Sequence, residues 1–391
     1  MISPSDIFDP MHYAEVRRPI ARAAHLPPWS YTSAAFFARE IDRVFSKTWN
    51  FIGRADRIAN PGDYFTVEVG GAPLVILRVL ENHLRAFANT CRHRGARLLN
   101  GQGRCTGAIV CPYHSWSYSL DGRLIGTPGM KGLQDFHPAD YPLVSARLEI
   151  WEGFLFVSLD PDCESLASYL GELPDKLHSY GFADMICTRR KTYDVACNWK
   201  LLIENSMEDY HTATVHHGSI GAQTLEMERG IGNWETGYYK TEKSIATLPG
   251  ETAALPWIKS LDAKTAGGTY FVLIYPCTTL ACNQDGMFWL ELYPRGPART
   301  EVVIGHAFPR STVERPDFAT LVEKYYHRAD LSIPEDNRIS EEQQRGLDSP
   351  LARPGRVSLY EPAVHTLANW LLDHMLLPSA PVAPVPPRTV E

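Results

Sequence analysis

The spacing of apolar residues changes along the chain, and each spacing predicts a type of element. Between Ser33 and Thr48 the apolar side chains recur at helical intervals with charges between them, which predicts a helix. From Trp49 to about Pro161 the apolar segments are short, rich in β-branched or aromatic residues and bounded by Gly, Pro or Asn, as in antiparallel strands. The clearest predicted strands cover residues 63–69, 73–80, 84–89 and 150–159.

Beyond Ser165 helical and strand spacing alternate. A run of strands is predicted from Gly268 to Phe308, followed by an acidic helical region from Pro316 and a final amphipathic helix over 361–377. The Pro-rich end of the chain is typical of disorder. The predicted fold class is α+β, with an N-terminal segment packed on the second domain, a small antiparallel β domain, a larger domain whose antiparallel sheet is covered by helices, and a disordered tail, at residues 1–47, 48–162, 163–377 and 378–391.

Two turns of the β region each carry one cysteine and one histidine. Cys91 and His93 form a C-x-H loop, and Cys111 and His114 form a C-x-x-H loop. Because each loop supplies both types of ligand, the pattern favours a [2Fe–2S] cluster of the Rieske type, with two thiolates on one iron and two imidazoles on the other. A Cys₂His₂ zinc site is the alternative, although zinc loops usually supply like ligands in pairs.

A second group of chemically active residues lies within 198–217. Glu204, Glu208 and His211 stand at i, i+4 and i+7 of a predicted helix, so they share one face. His216 is about 140° further round an ideal helix, so both histidines can bind one metal only if the helix ends or kinks between them. Two imidazoles and one carboxylate form the facial triad of non-haem Fe(II) oxygenases. The carboxylate then comes from elsewhere in the chain, and the candidates are Asp317, Asp330, Asp336 and Asp348.

The two motifs together resemble the catalytic α subunit of Rieske non-haem iron oxygenases, over about residues 35–375. The stretch N-W-K-x-x-x-E-N-x-x-E-x-Y-H-x-x-x-x-H from Asn198 is similar to the family's iron-binding segment, which implies that His211 and His216 bind a mononuclear Fe(II). The stretch E-D-x-x-I-x-E-x-x-Q-x-G-L from Glu335 resembles the family's distal segment, which implies Asp336 as the third ligand. The cluster ligands implied by the resemblance are Cys91, His93, Cys111 and His114.

This resemblance implies an antiparallel β Rieske domain followed by a helix-grip-like α+β catalytic domain. It also implies a terminal oxygenase that uses O₂, and electrons from an NAD(P)H-dependent reductase with or without a ferredoxin, to hydroxylate or dealkylate a small organic molecule. The expected assembly is a homo-oligomer, usually a trimer. Three alternatives stay open: an aromatic-ring dioxygenase that forms a cis-diol, a Rieske electron carrier without oxygenase activity, and a zinc hydrolase.

Glu208 stands where most ring-hydroxylating members have aspartate. In the family this carboxylate links an iron-bound histidine to a cluster histidine of the neighbouring subunit, here His211 and His114 of the next chain. A glutamate bridge is similar to the branch that oxidises quaternary ammonium compounds such as carnitine, glycine betaine and stachydrine. Glu208 could equally be a tolerated substitute, in which case an aromatic substrate stays open.

The predicted substrate pocket surrounds the iron-binding segment and one face of the following sheet. Aromatic side chains there could hold an ammonium group by cation–π attraction, or could belong to the core. The candidates for such a cage are Tyr270, Phe271, Tyr275, Phe288 and Trp289. The residues predicted to line the pocket are Met207, Val215, Ile220, Phe271, Tyr275 and Phe288.

Composition excludes several classes of protein. The formal net charge is −7 and no dense Lys/Arg stripe is present, which argues against a nucleic-acid partner. Eight cysteines in no disulfide-like array suit a reducing compartment. No apolar run approaches the roughly eighteen residues of a membrane span, and the first residues lack the features of a signal peptide. We therefore expect a cytoplasmic protein without nucleic-acid or membrane partners.

Overall fold

The computed structural model describes residues 6–79, 83–252 and 254–376, and the first half of this range builds two antiparallel sheets. The strands are β1 (Asn50–Arg54), β2 (Asp63–Val69), β3 (Ala72–Arg78), β4 (Leu84–Ala88), β5 (Gln102–Arg104), β6 (Ala108–Val110), β7 (Ser117–Ser119), β8 (Leu124–Gly126), β9 (Ser145–Trp151) and β10 (Phe154–Ser158). Seven pair in the order β1-β10-β9-β4-β3-β2-β5 and three in the order β6-β7-β8. The strands predicted over 63–69, 73–80 and 84–89 are confirmed within one or two residues.

The prediction of one strand over 150–159 is wrong. Strand β9 ends at Trp151 and β10 begins at Phe154, and the two pair as a hairpin. Glu152 and Gly153 form the turn with φ of 47° and 84°, a conformation that glycine adopts at little cost. The continuous apolar pattern on both sides of this turn hides it, because both strands contribute to the same core.

The second half forms one seven-stranded antiparallel sheet with helices around it. Its strands are β11 (Met185–Val195), β12 (Glu226–Glu228), β13 (Trp234–Lys240), β14 (Gly268–Ile274), β15 (Thr278–Cys282), β16 (Met287–Gly296) and β17 (Arg299–Pro309), in the order β11-β17-β16-β15-β14-β13-β12. The α-helices are α1 (Trp29–Thr32), α2 (Ala34–Glu40), α3 (Leu166–Leu170), α4 (Leu173–Leu177), α5 (Trp199–Ser206), α6 (Thr212–Val215), α7 (Ala263–Ala266), α8 (Arg310–Val313), α9 (Phe318–Leu321), α10 (Glu323–Leu347) and α11 (Pro362–Leu376).

The two faces of this second sheet serve different cores. Along β16, Phe288 and Leu290 pack with α5, α10 and α11, whereas Met287 and Trp289 pack with α3, α4 and strands β1 and β10 of the first sheet. This alternation follows the period of two in a strand. The sheet is therefore covered by α5, α10 and α11 on one face, and by α3, α4 and the first sheet on the other. The α+β fold class is confirmed.

The N-terminal segment packs against α5. The Ser33 hydroxyl accepts a hydrogen bond from the Phe36 amide and caps α2, which continues as a π-helical turn over Ile41–Phe45. Lys200 of α5 forms an ion pair with Glu40 of α2 at 2.5 Å, and both side chains are buried. Strands run through 268–308 and helices follow from α8 to α10, and the final helix is α11, all as predicted.

The predicted tail at 378–391 lies outside the described residues, as does the last residue of the predicted final helix. Within the part of the chain that is described, no helix is both long enough and apolar enough to cross a membrane.

Candidate metal centres and active-site cavity

The two Cys/His loops share one backbone geometry. The Gly95 amide donates to the Cys91 carbonyl at 2.9 Å, and the Ser115 amide donates to the Cys111 carbonyl at 3.0 Å. Gly95 and Ser115 both have positive φ, 70° and 57°. Each loop therefore closes as a tight turn around its cysteine, and the first uses glycine for the left-handed position.

The side chains of these loops fit a [2Fe–2S] cluster. Cys91 and Cys111 are buried, and the rings of His93 and His114 lie 4.7 Å apart between centroids. The Nδ1 atoms of both histidines are buried and have no hydrogen-bond partner among the described residues. A buried polar atom without a partner is costly, and ligation to iron would satisfy both atoms.

Two aromatic residues surround the cluster loops. Tyr118 is buried in the core, and its hydroxyl lies 3.4 Å from the Cys91 sulfur and accepts from the Arg92 amide at 2.9 Å. Burial raises the pKa of Tyr118, so this hydroxyl stays protonated and can donate to the sulfur. The His93 ring stacks on Trp116 with 4.9 Å between centroids. Hydrogen bonds to cluster sulfurs tune the reduction potential.

The segment that carries His211 and His216 forms a helix over its first half, as predicted, but this helix does not continue to His211. Helix α5 ends before Met207, and His211 and His216 stand at the two ends of α6, with ring centroids 5.2 Å apart. The main break thus precedes His211 instead of falling between the two histidines. Glu204 stays on α5 and does not join them, because it is buried and accepts the Tyr31 hydroxyl at 2.8 Å.

Asp336 of α10 completes the group. Its Oδ1 lies 3.0 Å from His216 Nε2 and 3.5 Å from His211 Nε2. Among the described residues, these three form the one set of His, Cys, Asp or Glu side chains close enough to hold a single ion. Two atoms bound to one metal at about 2.1 Å and at right angles would lie about 3 Å apart. The spacing therefore fits one metal ion.

Hydrogen bonds at the other ring nitrogens favour metal binding. His211 Nδ1 lies 2.6 Å from Glu208 Oε1, and His216 Nδ1 lies 2.7 Å from Glu335 Oε2. Each carboxylate accepts the Nδ1 proton, so the Nε2 atoms of the neutral rings present lone pairs towards Asp336. Three lone pairs that converge on one point require a cation between them.

The carboxylates next to His211 favour its protonated form. Burial lowers the pKa of His211, but hydrogen bonding to Asp336 and Glu208 outweighs burial and raises this pKa to about 9. A proton therefore competes with the metal for the Nε2 atom of His211. Metal binding at such a site releases protons.

The other predicted carboxylates lie elsewhere. Asp330 pairs with Arg189 and Lys191, and the exposed Asp317 pairs with Arg315. The remaining candidate, Asp348, is at the end of α10. His217 is exposed, with its Nδ1 3.0 Å from the Thr214 carbonyl, and it is not part of this group.

The contact between Glu335 and His216 was not predicted from the sequence. Glu335 lies beside the Asp336 ligand, and its carboxylate also accepts the Ser219 hydroxyl at 2.6 Å. The only signal in the sequence is its place next to the aspartate, because metal-bound histidines usually have a carboxylate or carbonyl on the second ring nitrogen.

A cavity of about 850 Å³, partly open to solvent, lies between the triad and the helix-covered face of the sheet. Met207, Ile220, Phe271 and Phe288 line it, as predicted. Its other walls include Leu202, Asp209, Leu225, Leu280, Leu290, Arg328 and Ile333.

Val215 and Tyr275 do not line this cavity, which corrects their prediction. Strand β14 ends at Ile274, so the alternation that brings Phe271 to the cavity does not continue to Tyr275. The Tyr275 ring instead packs on Trp370. Val215 lies on the short α6 beside the triad, outside the lining residues. Of the proposed aromatic cage, Tyr270 and Trp289 belong to the core on the opposite face of the sheet.

Comparison with known proteins agrees with these two centres. Residues 48–137 match the Rieske [2Fe-2S] domain, and residues 182–377 match the catalytic domain of the ring hydroxylating alpha subunit. The chain is 30% identical to the carnitine monooxygenase oxygenase subunit of Escherichia coli K12, over 83% of this chain and 84% of that protein. It is 28% identical to the chloroplastic choline monooxygenase of Spinacia oleracea, over 94% of this chain and 82% of that protein.

A solved structure of a quaternary ammonium Rieske monooxygenase in complex with L-carnitine superposes with a TM-score of 0.76, at 25% identity, over 90% of this chain and 96% of that chain. Subunits of this kind act with a reductase on small molecules. With both domains and both donor sets in one polypeptide, this chain belongs to the Rieske non-haem iron oxygenases, as a catalytic α subunit that carries a [2Fe–2S] cluster and a mononuclear iron and uses O₂.

Proposed function

We propose that this oxygenase oxidises a quaternary ammonium compound at a carbon bonded to nitrogen. The observation that carries the proposal is the convergence of two Nε2 atoms and one carboxylate oxygen beside a largely apolar cavity. The rings of Phe271 and Phe288 and the carboxylates of Glu208 and Asp209 line the same cavity, and both kinds of group attract an ammonium. The relatives named above act, by name, on carnitine and choline, which favours monooxygenation over cis-diol formation.

The proposed reaction balances as a monooxygenation. When bound, the iron supplies the activation of O₂. One oxygen atom enters a C–H bond next to the nitrogen, and the other leaves as water with two electrons and two protons. The carbinol then breaks its C–N bond; the nitrogen keeps the electron pair and leaves as a tertiary amine, and the hydroxyl loses its proton to give an aldehyde. Glu208 and Glu335 orient His211 and His216 throughout, and the apolar walls exclude water.

The site residues have the following proposed roles. Cys91, His93, Cys111 and His114 would hold the cluster, which would accept electrons from an NAD(P)H-dependent reductase, directly or through a ferredoxin. His211, His216 and Asp336 would hold the iron, and Glu208 would be the link between the two centres.

We infer that this transfer crosses between subunits. Among the described residues, no hydrogen bond, ion pair or ring contact joins the cluster residues to the iron residues. Glu208 would therefore meet His114 of a neighbouring chain, in a head-to-tail contact that closes as a ring, here a trimer. The domain limits proposed for this assembly are 48–162 for the cluster domain and 163–377 for the catalytic domain, with 1–47 packed on the latter. None of the eight cysteines forms a disulfide, which suits a cytoplasmic location; this location is part of the proposal.

The test is product analysis with anaerobically reconstituted protein. About three irons and two sulfides per chain are expected at full loading. Carnitine, choline and an aromatic panel are each incubated with O₂, NADH and a surrogate reductase, and products are identified by mass spectrometry. We expect a tertiary amine and its aldehyde from at least one ammonium compound. A cis-diol from the aromatic panel with no amine would overturn the proposal, and Asp336→Ala is the inactive control.

A further inference from the structure

One wall of the cavity contains a buried arginine without a partner. Arg328 lies on α10 and lines the cavity, yet only 4% of it is exposed. Its Nε atom has no hydrogen-bond partner, and among the described residues its guanidinium forms no ion pair. The guanidinium lies over the Phe288 ring, with Cζ 5.9 Å from the centroid.

The other buried arginine among the described residues is satisfied. Arg54 is as buried as Arg328, and it pairs with Asp56 and donates to the carbonyls of Phe182 and Met185. Arg328 is thus an exception. Burial lowers its pKa to about 10, and within the described part of the chain Asp336 supplies the one charge that opposes this shift. An unpaired buried charge is unfavourable, and a ligand of opposite charge would compensate it.

Asp336 does not compensate the charge of Arg328 once iron is bound. Asp336 is the iron ligand, so its charge is neutralised when the metal binds. His306, which lines a small adjoining cavity with Arg328, adds no charge because burial lowers its pKa to about 3. The Arg328 end of the cavity therefore keeps one uncompensated positive charge in the working enzyme.

Carboxylates lie at the other end of the cavity. Arg328, Ser332 and Asp336 are at i, i+4 and i+8 of α10, so they share one face, and the first and last are separated by about 12 Å of helix. Glu208 and Asp209 line the cavity together with Asp336. The cavity is thus bipolar, with a guanidinium at one end and the carboxylates of Glu208 and Asp209 at the other.

We propose that Arg328 binds the carboxylate of the substrate, so that the enzyme selects zwitterions that carry both a quaternary ammonium and a carboxylate over ammonium alcohols such as choline. The ammonium part of this statement rests on the proposed function; the carboxylate part rests on Arg328 alone. A guanidinium matches a carboxylate with two parallel hydrogen bonds, which fixes orientation as well as charge. The carboxylate at Arg328 holds the ammonium end at the iron.

The test compares three compounds of one shape: γ-butyrobetaine, its methyl ester, and its carbon isostere in which C(CH₃)₃ replaces N(CH₃)₃. Dissociation constants are measured by anaerobic calorimetry on the iron-loaded oligomer of the wild type, Arg328→Met and Arg328→Lys. In the wild type we expect γ-butyrobetaine to bind about 10- to 100-fold more tightly than its ester. Arg328→Met should remove this difference, and Arg328→Lys should restore part of it.

Arg345→Met is the matched control, because Arg345 lies on the same helix but is exposed and outside the cavity. Iron content and the cluster spectrum show whether each variant is folded. Equal binding of acid and ester to the wild type, or an unchanged dissociation constant in a folded Arg328→Met, would overturn the inference.

The two proposals fail in different ways. If the carbon isostere binds in an Arg328-dependent manner but no ammonium compound yields an amine, the assignment of Arg328 stands and the proposed function falls. If choline and the ester are oxidised as well as γ-butyrobetaine, with no effect of Arg328→Met, the proposed function stands and the assignment falls.

Discussion

Each iron-site histidine depends on a different carboxylate at its Nδ1 atom. Glu208 holds His211 from within the same loop, and Glu335 holds His216 from α10, where it is the sequence neighbour of Asp336. The two contacts have nearly the same length, so they make a matched pair of positions. One is proposed to conduct electrons and the other only to orient a ring, and substitutions should separate these roles.

Glu208→Gln should abolish product formation while the mononuclear iron and the cluster remain. The amide oxygen can still accept the His211 Nδ1 proton, but the charged link to a cluster histidine of the neighbouring chain is lost. The measurement is single-turnover product yield, together with iron content and the spectrum of the chemically reduced cluster. Wild-type turnover in this variant would remove Glu208 from the electron route.

Glu335→Ala should instead weaken iron binding by about 10- to 100-fold, the usual effect of losing a partner of a metal-bound histidine. His216 loses its proton acceptor, so its ring is no longer held with Nε2 towards Asp336. Competition with a coloured chelator measures the change, and protein reloaded with excess iron should regain product formation. An iron affinity equal to that of the wild type would show that Glu335 does not position the ring.

Glu204 should make the protein less stable as the pH rises. Burial raises the pKa of this carboxyl from 4.5 to about 7. Below about pH 4.5 it is protonated in both the folded and the unfolded chain; between 4.5 and 7 only the unfolded chain ionises, so stability falls. Each pH unit between the two pKa values lowers the free energy of unfolding by about 1.4 kcal/mol, so the loss is roughly 3 kcal/mol by pH 8.

Glu204→Gln keeps an acceptor for the Tyr31 hydroxyl but cannot ionise. Urea unfolding of both proteins at pH 5 and pH 8 measures the difference. The variant should gain stability relative to the wild type between these two values. Parallel changes in both proteins would contradict the raised pKa.

The elements that the sequence predicts well are those in which local pattern and tertiary packing agree. Strand β2 and helix α11 have clear periods of two and 3.6, and both were found within a residue or two. The break between α5 and α6 was misplaced, because no Gly or Pro marks it. It arises where Glu204 is held in the core by Tyr31 while Glu208 turns to bind His211.

The site residues that lie in recognisable motifs were predicted from residue type and spacing. Asp336 was selected from four aspartates by resemblance, and the structure brings it to the histidines. Arg328 and Glu335 were not predicted, because a buried arginine without a partner and a carboxylate behind a histidine are properties of the folded chain. The neighbours of Arg328 in sequence give no signal of its role, and for Glu335 the one signal is its place next to Asp336.

A buried ion pair joins helix α5 to the N-terminal helix α2. We expect it to make the largest single contribution to the stability of their packing. Lys200 and Glu40 are 2.5 Å apart and almost fully buried, and Trp199 also donates to Glu40. Glu40→Gln leaves a buried ammonium without its counter-charge, so we expect a loss of about 3–5 kcal/mol in the free energy of unfolding. Urea unfolding at neutral pH measures this loss.

Adding Lys200→Met to Glu40→Gln should recover much of the loss, because the unpaired charge is then removed. Asp194→Asn, which breaks the exposed pair with Arg299, is the surface control and should shift the midpoint little. A loss that is no larger for Glu40→Gln than for Asp194→Asn would show that the buried pair does not hold the segment in place.

Over the whole molecule, the two metal centres belong to different cores. The cluster loops pack in the core of the first domain around Tyr118, whereas the triad lies next to the core shared by α5, α10 and α11. The half-buried rings of His93 and His114 lie beside the exposed Tyr113, near the surface. A surface position is what an electron donor to another subunit requires.

Mixed oligomers test whether electrons cross between subunits. His114→Ala removes the cluster from one chain and Asp336→Ala removes the iron from the other, so neither variant alone should form product. In a ring of three that contains both chains, one junction joins an intact cluster to an intact iron, so co-expressed and doubly tagged rings should show about one third of wild-type turnover. If electrons stayed within a chain, no subunit of the mixed ring would hold both centres. Mixed rings that contain the iron of one variant and the cluster of the other, but form no product, would therefore rule out transfer between subunits.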